Sequence, residues 1–319
     1  MSKTALITGI FGQDGTLLTK SLLNKGYRIL GLVRSGPENK YFRDHFESVT
    51  ILKNNLSSYS EVINLFKSNQ IDECFHLAAC HHESIKSNLF SLEQDSLMVQ
   101  TNFESTKNLI HAILETGSKT KFFYAGSSQM FSPSEFNQSF DEKCSCNPST
   151  FYGHTKVFSA NLIDYYRKNH NFYGVTGILF NHESPLRSPK FISRLITKSC
   201  AQIAKGQLKK LEVRNPYGVT DWSSAKDFVE GFQQVLSQES AGDYIFSSGT
   251  QHKVMDLIEI CFNHLKLDIN EHLSFPQSAK TPDVSLIGDN TKLKSTGWEP
   301  KYSFKEFILE MLEEDLKSL

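Results

Sequence analysis

The chain of 319 residues contains no uninterrupted apolar run of the ~18 residues that a membrane-spanning helix needs. It also lacks an excess of charge of either sign: 34 Lys and Arg stand against 35 Asp and Glu, for a net charge of −1. No global basic field therefore points to nucleic acid or to an anionic membrane surface. Small molecules and further copies of the chain are the expected partners. No charged-then-apolar leader precedes the first strand pattern in MSKTALITGI, so a cytoplasmic location is expected. Cysteine is sparse. None of the six forms a C-x-x-C pair, and Cys144 and Cys146 have no second pair at zinc-site spacing. Reduced thiols and no metal are expected. No Gly/Ser/Pro-rich linker, short-period repeat or low-complexity stretch interrupts the chain.

What is present is an ordinary globular composition, 39% hydrophobic and 22% charged. The first half alternates short apolar runs with helical periodicity. Strands are predicted at Thr4–Ile7, Tyr27–Val33, Val49–Leu52, Glu73–Ala78, Lys121–Gly126 and Gly174–Phe180. Helices are predicted at Thr16–Asn24, Ser60–Lys67, Leu92–Glu115 and Tyr152–Asn169. Alternation of this length implies parallel strands joined by right-handed crossovers. The expected fold is an α/β, Rossmann-type doubly wound parallel sheet with a ligand crevice at the strands' carboxyl ends. Beyond Phe180 the rhythm changes. Helices at Lys190–Lys205 and Ser303–Lys317 surround short strands near Lys210–Val213 and Tyr244–Phe246. A smaller α/β substrate domain is expected there. The expected division is residues 1–180 with roughly 222–255 as the NAD(P)-binding domain, and 181–221 with 256–319 as the second.

Thr8-Gly9-Ile10-Phe11-Gly12-Gln13-Asp14-Gly15 sits between the first strand and the first helix. There a dinucleotide diphosphate can meet backbone N–H groups and the positive end of a helix. A merely tight turn accounts for one glycine, not three at equal spacing. The second strand ends Val33-Arg34-Ser35, with no acid to bind the adenosine ribose hydroxyls of NAD. Arg34 instead offers a fork of donors to a 2′-phosphate, which favours NADP. The alternative is a solvated Arg34 with NAD held by other groups.

Tyr152 and Lys156 lie four residues apart, on one helical face. A free phenol has a pKa of about 10, too high for a base near neutrality. A neighbouring ammonium and an oxidised nicotinamide both stabilise the phenolate. Tyr152 can then take an alcohol proton while hydride leaves for the cofactor, and Lys156 can also hold the nicotinamide ribose. Ser127, at the end of the Lys121–Gly126 strand, is placed to hydrogen-bond the same oxygen, with Ser128 as its rival.

These residues together resemble the extended short-chain dehydrogenase/reductases and, within them, the GDP-mannose 4,6-dehydratase family. The resemblance covers nearly the whole chain. It is carried by Ala5 to Ile10 with Gly12-Gln13-Asp14-Gly15, by Leu77-Ala78-Ala79, by Tyr152 with Lys156, and by Leu179 to Pro185 (LFNHESP). Asp221-Trp222, Ala225-Lys226-Asp227 and Leu293 to Pro300 follow in the family's order. The resemblance implies a nucleotide sugar, GDP-linked, as substrate. It also implies a reaction that oxidises C4 with NADP, loses water across C5 and C6, and returns the hydride to C6. Gly9, Phe11, Gly12, Gln13, Asp14, Gly15, Arg34 and Leu77 to Ala79 would line the cofactor. Ser127, Tyr152 and Lys156 would run the redox step.

The resemblance further implies a carboxylic acid two residues after Ser127, for the elimination. This chain has Gln129, and an amide cannot carry a proton. The alternative is a C4 dehydrogenase, reductase or epimerase of a GDP-mannose-like or heptose nucleotide sugar, without dehydration. Glu183 and Glu135 are the nearby acids, with a structural role as the equal alternative for His182 and Glu183. Thr220 and Thr281 stand where the family has arginines to clamp diphosphate; Arg214, Lys190 and Arg194 are the candidate substitutes. Asn181 is a candidate phosphate or sugar contact. Three adjacent residues, His81-His82-Glu83, converge poorly on one ion, so His81 and His82 are expected to line the sugar pocket, with plain loop residues as the alternative. Phe131 replaces a family tyrosine. The loop after Arg34 is short and lacks the family's second arginine, so a homodimer through the Leu92 and Tyr152 helices is expected ahead of a homotetramer. A non-catalytic, cofactor-sensing protein on the same fold is the reading from another class.

Overall fold

The structure, a computed structural model, describes residues 2–34, 42, 46–81, 91–132, 139–279 and 286–319. Five strands open the chain: β1 (Thr4–Thr8), β2 (Arg28–Val33), β3 (Thr50–Lys53), β4 (Glu73–His76) and β5 (Lys121–Ala125). The short β6 (Ser139–Phe140) follows, then β7 (Gly174–Leu179), β8 (Asn181–Glu183), β9 (Leu211–Glu212), β10 (Val219–Ser224) and β11 (Asp243–Phe246). The last are β12 (Gln251–Lys253), β13 (Leu273–Ser274) and β14 (Ile287–Gly288). One seven-stranded sheet runs in the order β11-β7-β5-β4-β1-β2-β3. Its pairs from β7 through β3 are parallel. The order reverses direction at β1, between β4 and β2, and ligands of such sheets bind beside that switch, at the carboxyl ends of the strands.

Two compact units divide the residues. The first is built from Met1–Ser132, Cys144–Leu179 and Val229–Tyr244, the second from Pro133–Lys143, Phe180–Phe228 and Ile245–Leu319. In the first, Leu6, Leu30, Cys74, Phe122 and Tyr124 of the sheet pack with Val62, Leu109, Ile110 and Ile163 of covering helices. The strands read as continuous apolar runs because both faces are covered. In the second, Trp222 packs with Ile196 and Cys200 of the helix Ile192–Ala204, Leu257 and Cys261 of Val254–Leu265, and Ile308 and Met311 of Phe304–Ser318. No helix among the described residues is long and apolar enough to cross a membrane.

Three local differences from the sequence patterns bear on the site. The first helix begins at Gln13 with Gly12 as its N-cap, so Gly15 lies in its first turn. The expected helix Leu92–Glu115 is three pieces, Leu92–Met98, a π-helical stretch Val99–Glu104, and Ser105–Glu115. The structure also has helices Ala225–Leu236 and Val254–Leu265, which the patterns did not assign.

Candidate active site

At the end of β1 the chain turns through Gly9, whose φ of +69° is costly for any residue with a side chain. A Cβ there would lie 2.8 Å from the Ala78 nitrogen, so the loop needs glycine to lie against the strand-end backbone. Gly12 N–H donates to the Gly9 carbonyl at 2.9 Å, closing the turn that feeds the helix Gln13–Asn24. A buried relay ties the ends of β1 and β4. The Thr8 hydroxyl oxygen accepts from Leu77 and Ala78 N–H at 3.1 and 3.0 Å. Its own proton therefore goes to His76 Nδ1, 2.7 Å away, and His76 Nε2 donates to Ser105 Oγ at 3.0 Å. Burial, with the Lys156 ammonium second, pushes the His76 pKa down to about 3, so the ring is neutral as this relay requires.

Beside the turn is a cavity of about 330 Å³. Thr8, Gly9, Gly12 and Arg34 line one part of it, and Leu77, Ala78 and Ala79 another. Among the described residues that line it there is no carboxylate, and Arg34 is the one charged group, its Nη1 3.5 Å from Thr101 Oγ1. Asn54, Asn55, Leu56, Ser57, Gln100 and Thr101 also line it, and the sequence patterns had not singled them out. Asn54 to Ser57 follow β3 directly, so the carboxyl-end rule could have found them; Gln100 and Thr101 belong to the π stretch, which leaves no periodic signal. Phe11 instead packs on Phe42, ring centroids 5.0 Å apart, and the Gln13 amide donates to Asp14 at 3.2 Å. A shape that backbone glycines define, with one arginine and no acid among the described lining residues, fits a phosphorylated dinucleotide.

The second cluster forms where β5 ends. Ser127 caps a 3₁₀ turn, Ser128–Met130, its Oγ accepting from Gln129 N–H at 3.2 Å. The helix Phe151–His170 begins at the Thr150 cap, whose Oγ1 accepts from Gly153 N–H at 3.0 Å. This helix lies so close to the 3₁₀ turn that a Cβ on Gly153 would be 2.2 Å from the Gln129 carbonyl. Lys156 is 1% exposed. Its ammonium donates to the Ala125 carbonyl at 2.7 Å, 4.8 Å above the Tyr124 ring and 5.5 Å from the centroid of Tyr152. Burial pulls its pKa down to about 7.

Gln129 is held at both ends of its amide. The Thr150 hydroxyl donates to Gln129 Oε1 at 3.0 Å, which turns Nε2 toward His81 Nε2 at 3.3 Å. The His81 ring lies against Tyr152, centroids 4.5 Å apart. Asn102, fully buried in the π stretch, grips the loop before His81: Oδ1 accepts from Cys80 N–H at 2.8 Å and Nδ2 donates to the Cys80 carbonyl at 2.9 Å. The same Nδ2 donates to Thr155 Oγ1 at 3.0 Å, linking that loop to the helix of Tyr152 and Lys156. A π turn at such a junction is typical of functional sites.

In the second unit, two sequence candidates are committed elsewhere. Glu183 is 2% exposed, accepts from Ser193 Oγ at 2.5 Å and pairs with Arg187 at 3.4 Å. Its carboxylate is a buried structural anchor and not an open substrate contact. Arg194 is held by Asp315 and by the Pro185 carbonyl at 3.1 Å, so its guanidinium is no open diphosphate clamp. Asn181, Lys190 and Arg214 are exposed. Thr220 lies in the β10–β12 ladder opposite His252. The motif acids have structural tasks. Asp221 accepts from Ser248, Gly249 and Gly288 N–H, and Asp227 accepts from Lys301 and Tyr302 N–H. His82, Glu83, Glu135 and Thr281 lie outside the described residues.

A parallel sheet with this order, a glycine turn after β1 and a buried lysine one helical turn beyond a tyrosine defines an extended short-chain dehydrogenase/reductase. The solved structures agree on the fold. The dTDP-glucose 4,6-dehydratase of Bacillus anthracis, in complex with NAD, superposes with a TM-score of 0.82 at 18% identity, over 99% of this chain and 97% of that one. RMD of Pseudomonas aeruginosa, complexed with NADPH, gives 0.79 at 19%, over 99% and 100%. GDP-mannose 4,6 dehydratase 1 of Arabidopsis thaliana is 31% identical over 332 residues, 99% of this chain and 90% of its own length. The GDP-mannose 4,6 dehydratase family model matches residues 6–311, and the chain belongs to that family of nucleotide-sugar enzymes.

Proposed function

We propose that this chain is an NADP-dependent 4,6-dehydratase of a GDP-hexose, GDP-mannose being the reference substrate. The observation that carries this is the buried Lys156 ammonium beneath Tyr152, on the helix that packs against the Ser127 turn. The first unit is the dinucleotide domain, with Gly9, Gly12 and Gly15 at the diphosphate and Arg34 at the 2′-phosphate. NAD, which the Bacillus relative carries, is the alternative. The second unit takes the nucleotide sugar, with Asn181, Lys190 and Arg214 as its contacts.

When bound, the nicotinamide supplies a hydride acceptor at C4 and, later, the donor to C6. Ser127 hydrogen-bonds the C4 hydroxyl oxygen while the Tyr152 phenolate takes its proton. The Lys156 ammonium stabilises that phenolate across the ring face. The resulting ketone acidifies the neighbouring C5–H bond, which sets up loss of water across C5 and C6. The working form is a homodimer in the cytoplasm. The exposed Phe158 and Tyr165 of the Tyr152 helix, and exposed Leu92, support a helix-to-helix contact.

Gln129 favours a second reading, in which the reaction stops at C4 oxidation or returns hydride to C4. Product mass separates the two. NADP-loaded protein given GDP-mannose is expected to yield a product lighter by one water. A product lighter by two hydrogens, or of unchanged mass with altered NMR couplings, supports the second reading.

A further inference from the structure

Gln129 occupies the position where the elimination would need an acid, yet its amide touches an ionisable group. Thr150 accepts from Gly153 N–H and gives its own proton to Gln129 Oε1, which fixes the amide's orientation. The amide nitrogen has no lone pair to offer, so it donates to His81 Nε2 at 3.3 Å. This interaction selects the neutral His81 tautomer with its proton on Nδ1 and its lone pair on Nε2. The same ring lies 4.5 Å, centroid to centroid, from Tyr152. A sugar whose C4 hydroxyl engages Tyr152 has C5 one bond further on. His81 is exposed, and Asn102 pins the residue before it through both backbone groups. A neutral imidazole has one nitrogen that accepts a proton and one that carries one, which suits proton transfer in both directions.

We infer that His81 is the proton carrier of the elimination and Gln129 its positioning residue, an inference that rests on the dehydratase reading above. In the step, the C5–H bond breaks and its proton passes to His81 Nε2. The electron pair forms the C5=C6 double bond beside the C4 ketone. The C6–O bond breaks and the imidazolium returns the proton to the leaving oxygen, releasing water. His81 ends neutral, and no oxidant or reductant is consumed. The 3.3 Å contact to Gln129 is long for a hydrogen bond and gives way readily when substrate displaces it.

The test uses NADP-loaded wild type and His81→Asn with GDP-mannose in deuterated water. Three signals are followed: reduced-cofactor absorbance, deuterium entry at C5 and loss of one water mass. His81→Asn is expected to keep the absorbance change while C5 exchange and water loss fall together by about 10²-fold or more. Retention of both signals within a few-fold overturns the assignment to His81 and leaves the dehydratase reading standing. A wild type that reduces cofactor but never loses water overturns both. If His81→Asn also loses the absorbance change, added imidazole decides: restored C5 exchange supports the inference and no restoration overturns it.

Discussion

The Lys156 ammonium lies 5.5 Å from the Tyr152 ring centroid and spends its short hydrogen bond, 2.7 Å, on the carbonyl of Ala125. That carbonyl ends β5, just before the Gly126-Ser127 corner. One lysine thus fixes the helix that carries the candidate base to the strand that carries the candidate serine. Its charge is kept in a buried place where it is costly unless a phenolate or ligand answers it.

This cost sets a pH dependence. The folded-state pKa of Lys156 falls to about 7 from the ordinary 10.5. Between those values the unfolded chain holds a proton that the folded chain has released, so stability contributed at this site rises with pH through that window. Below about 7 the full penalty of the buried charge is present. In cofactor-free protein, Lys156→Met is expected to flatten the rise of Tm between pH 7 and pH 10. An unchanged slope would mean that burial does not pull the Lys156 pKa down in the folded chain.

Tyr152→Phe removes the phenolic oxygen and leaves the ring that packs on His81. Turnover is expected to fall by about 10²- to 10⁴-fold, with the NADP dissociation constant moving by no more than a few-fold. Cofactor fluorescence and product formation, measured on one preparation, separate the two effects. Activity near wild type would remove Tyr152 from the role of base.

Arg34 is the one charged residue among the described residues that line the dinucleotide cavity. A hydrogen bond to a charged phosphate is worth about 1.5–3 kcal/mol. Arg34→Ser is therefore expected to weaken NADP by about 10- to 100-fold while NAD changes little. Equal losses for both dinucleotides would place Arg34 away from the 2′-phosphate.

Asn102→Ala would strip the Cys80 N–H and carbonyl of their partners and release Thr155. Unpaired buried polar groups cost about 1–3 kcal/mol each. The denaturation midpoint should fall at unchanged m-value, and turnover should fall with it, because Asn102 holds the loop of His81 against the helix of Tyr152. A stable variant with full activity would show that this bridge does not position the site.

The parts of this site that the sequence announced are local. Three glycines in one turn, or a tyrosine and lysine four residues apart, are legible because the chemistry they share lies within one strand–turn–helix unit or one helical face. Contacts between distant segments left no such mark. His81 meets Gln129 across 48 positions, and Asn102 bridges Cys80 and Thr155 from a π turn that breaks the helical period. The partners of charged residues are unmarked for a related reason. Glu183 sits in a family motif and Arg194 is a candidate substitute for a clamp arginine, and in the fold Ser193, Arg187 and Asp315 engage them. Burial and pairing of a charge are tertiary facts, and neither has a periodicity.

The transfer of hydrogen from C4 to C6 within one sugar is what separates a 4,6-dehydratase from every C4-only enzyme on this fold. GDP-mannose carrying deuterium at C4, turned over by NADP-loaded protein in ordinary water, reads that transfer directly. The expected product is a 4-keto-6-deoxy sugar with the deuterium on C6. Deuterium restored to C4, or left on released cofactor beside an intact C6 hydroxyl, would contradict it.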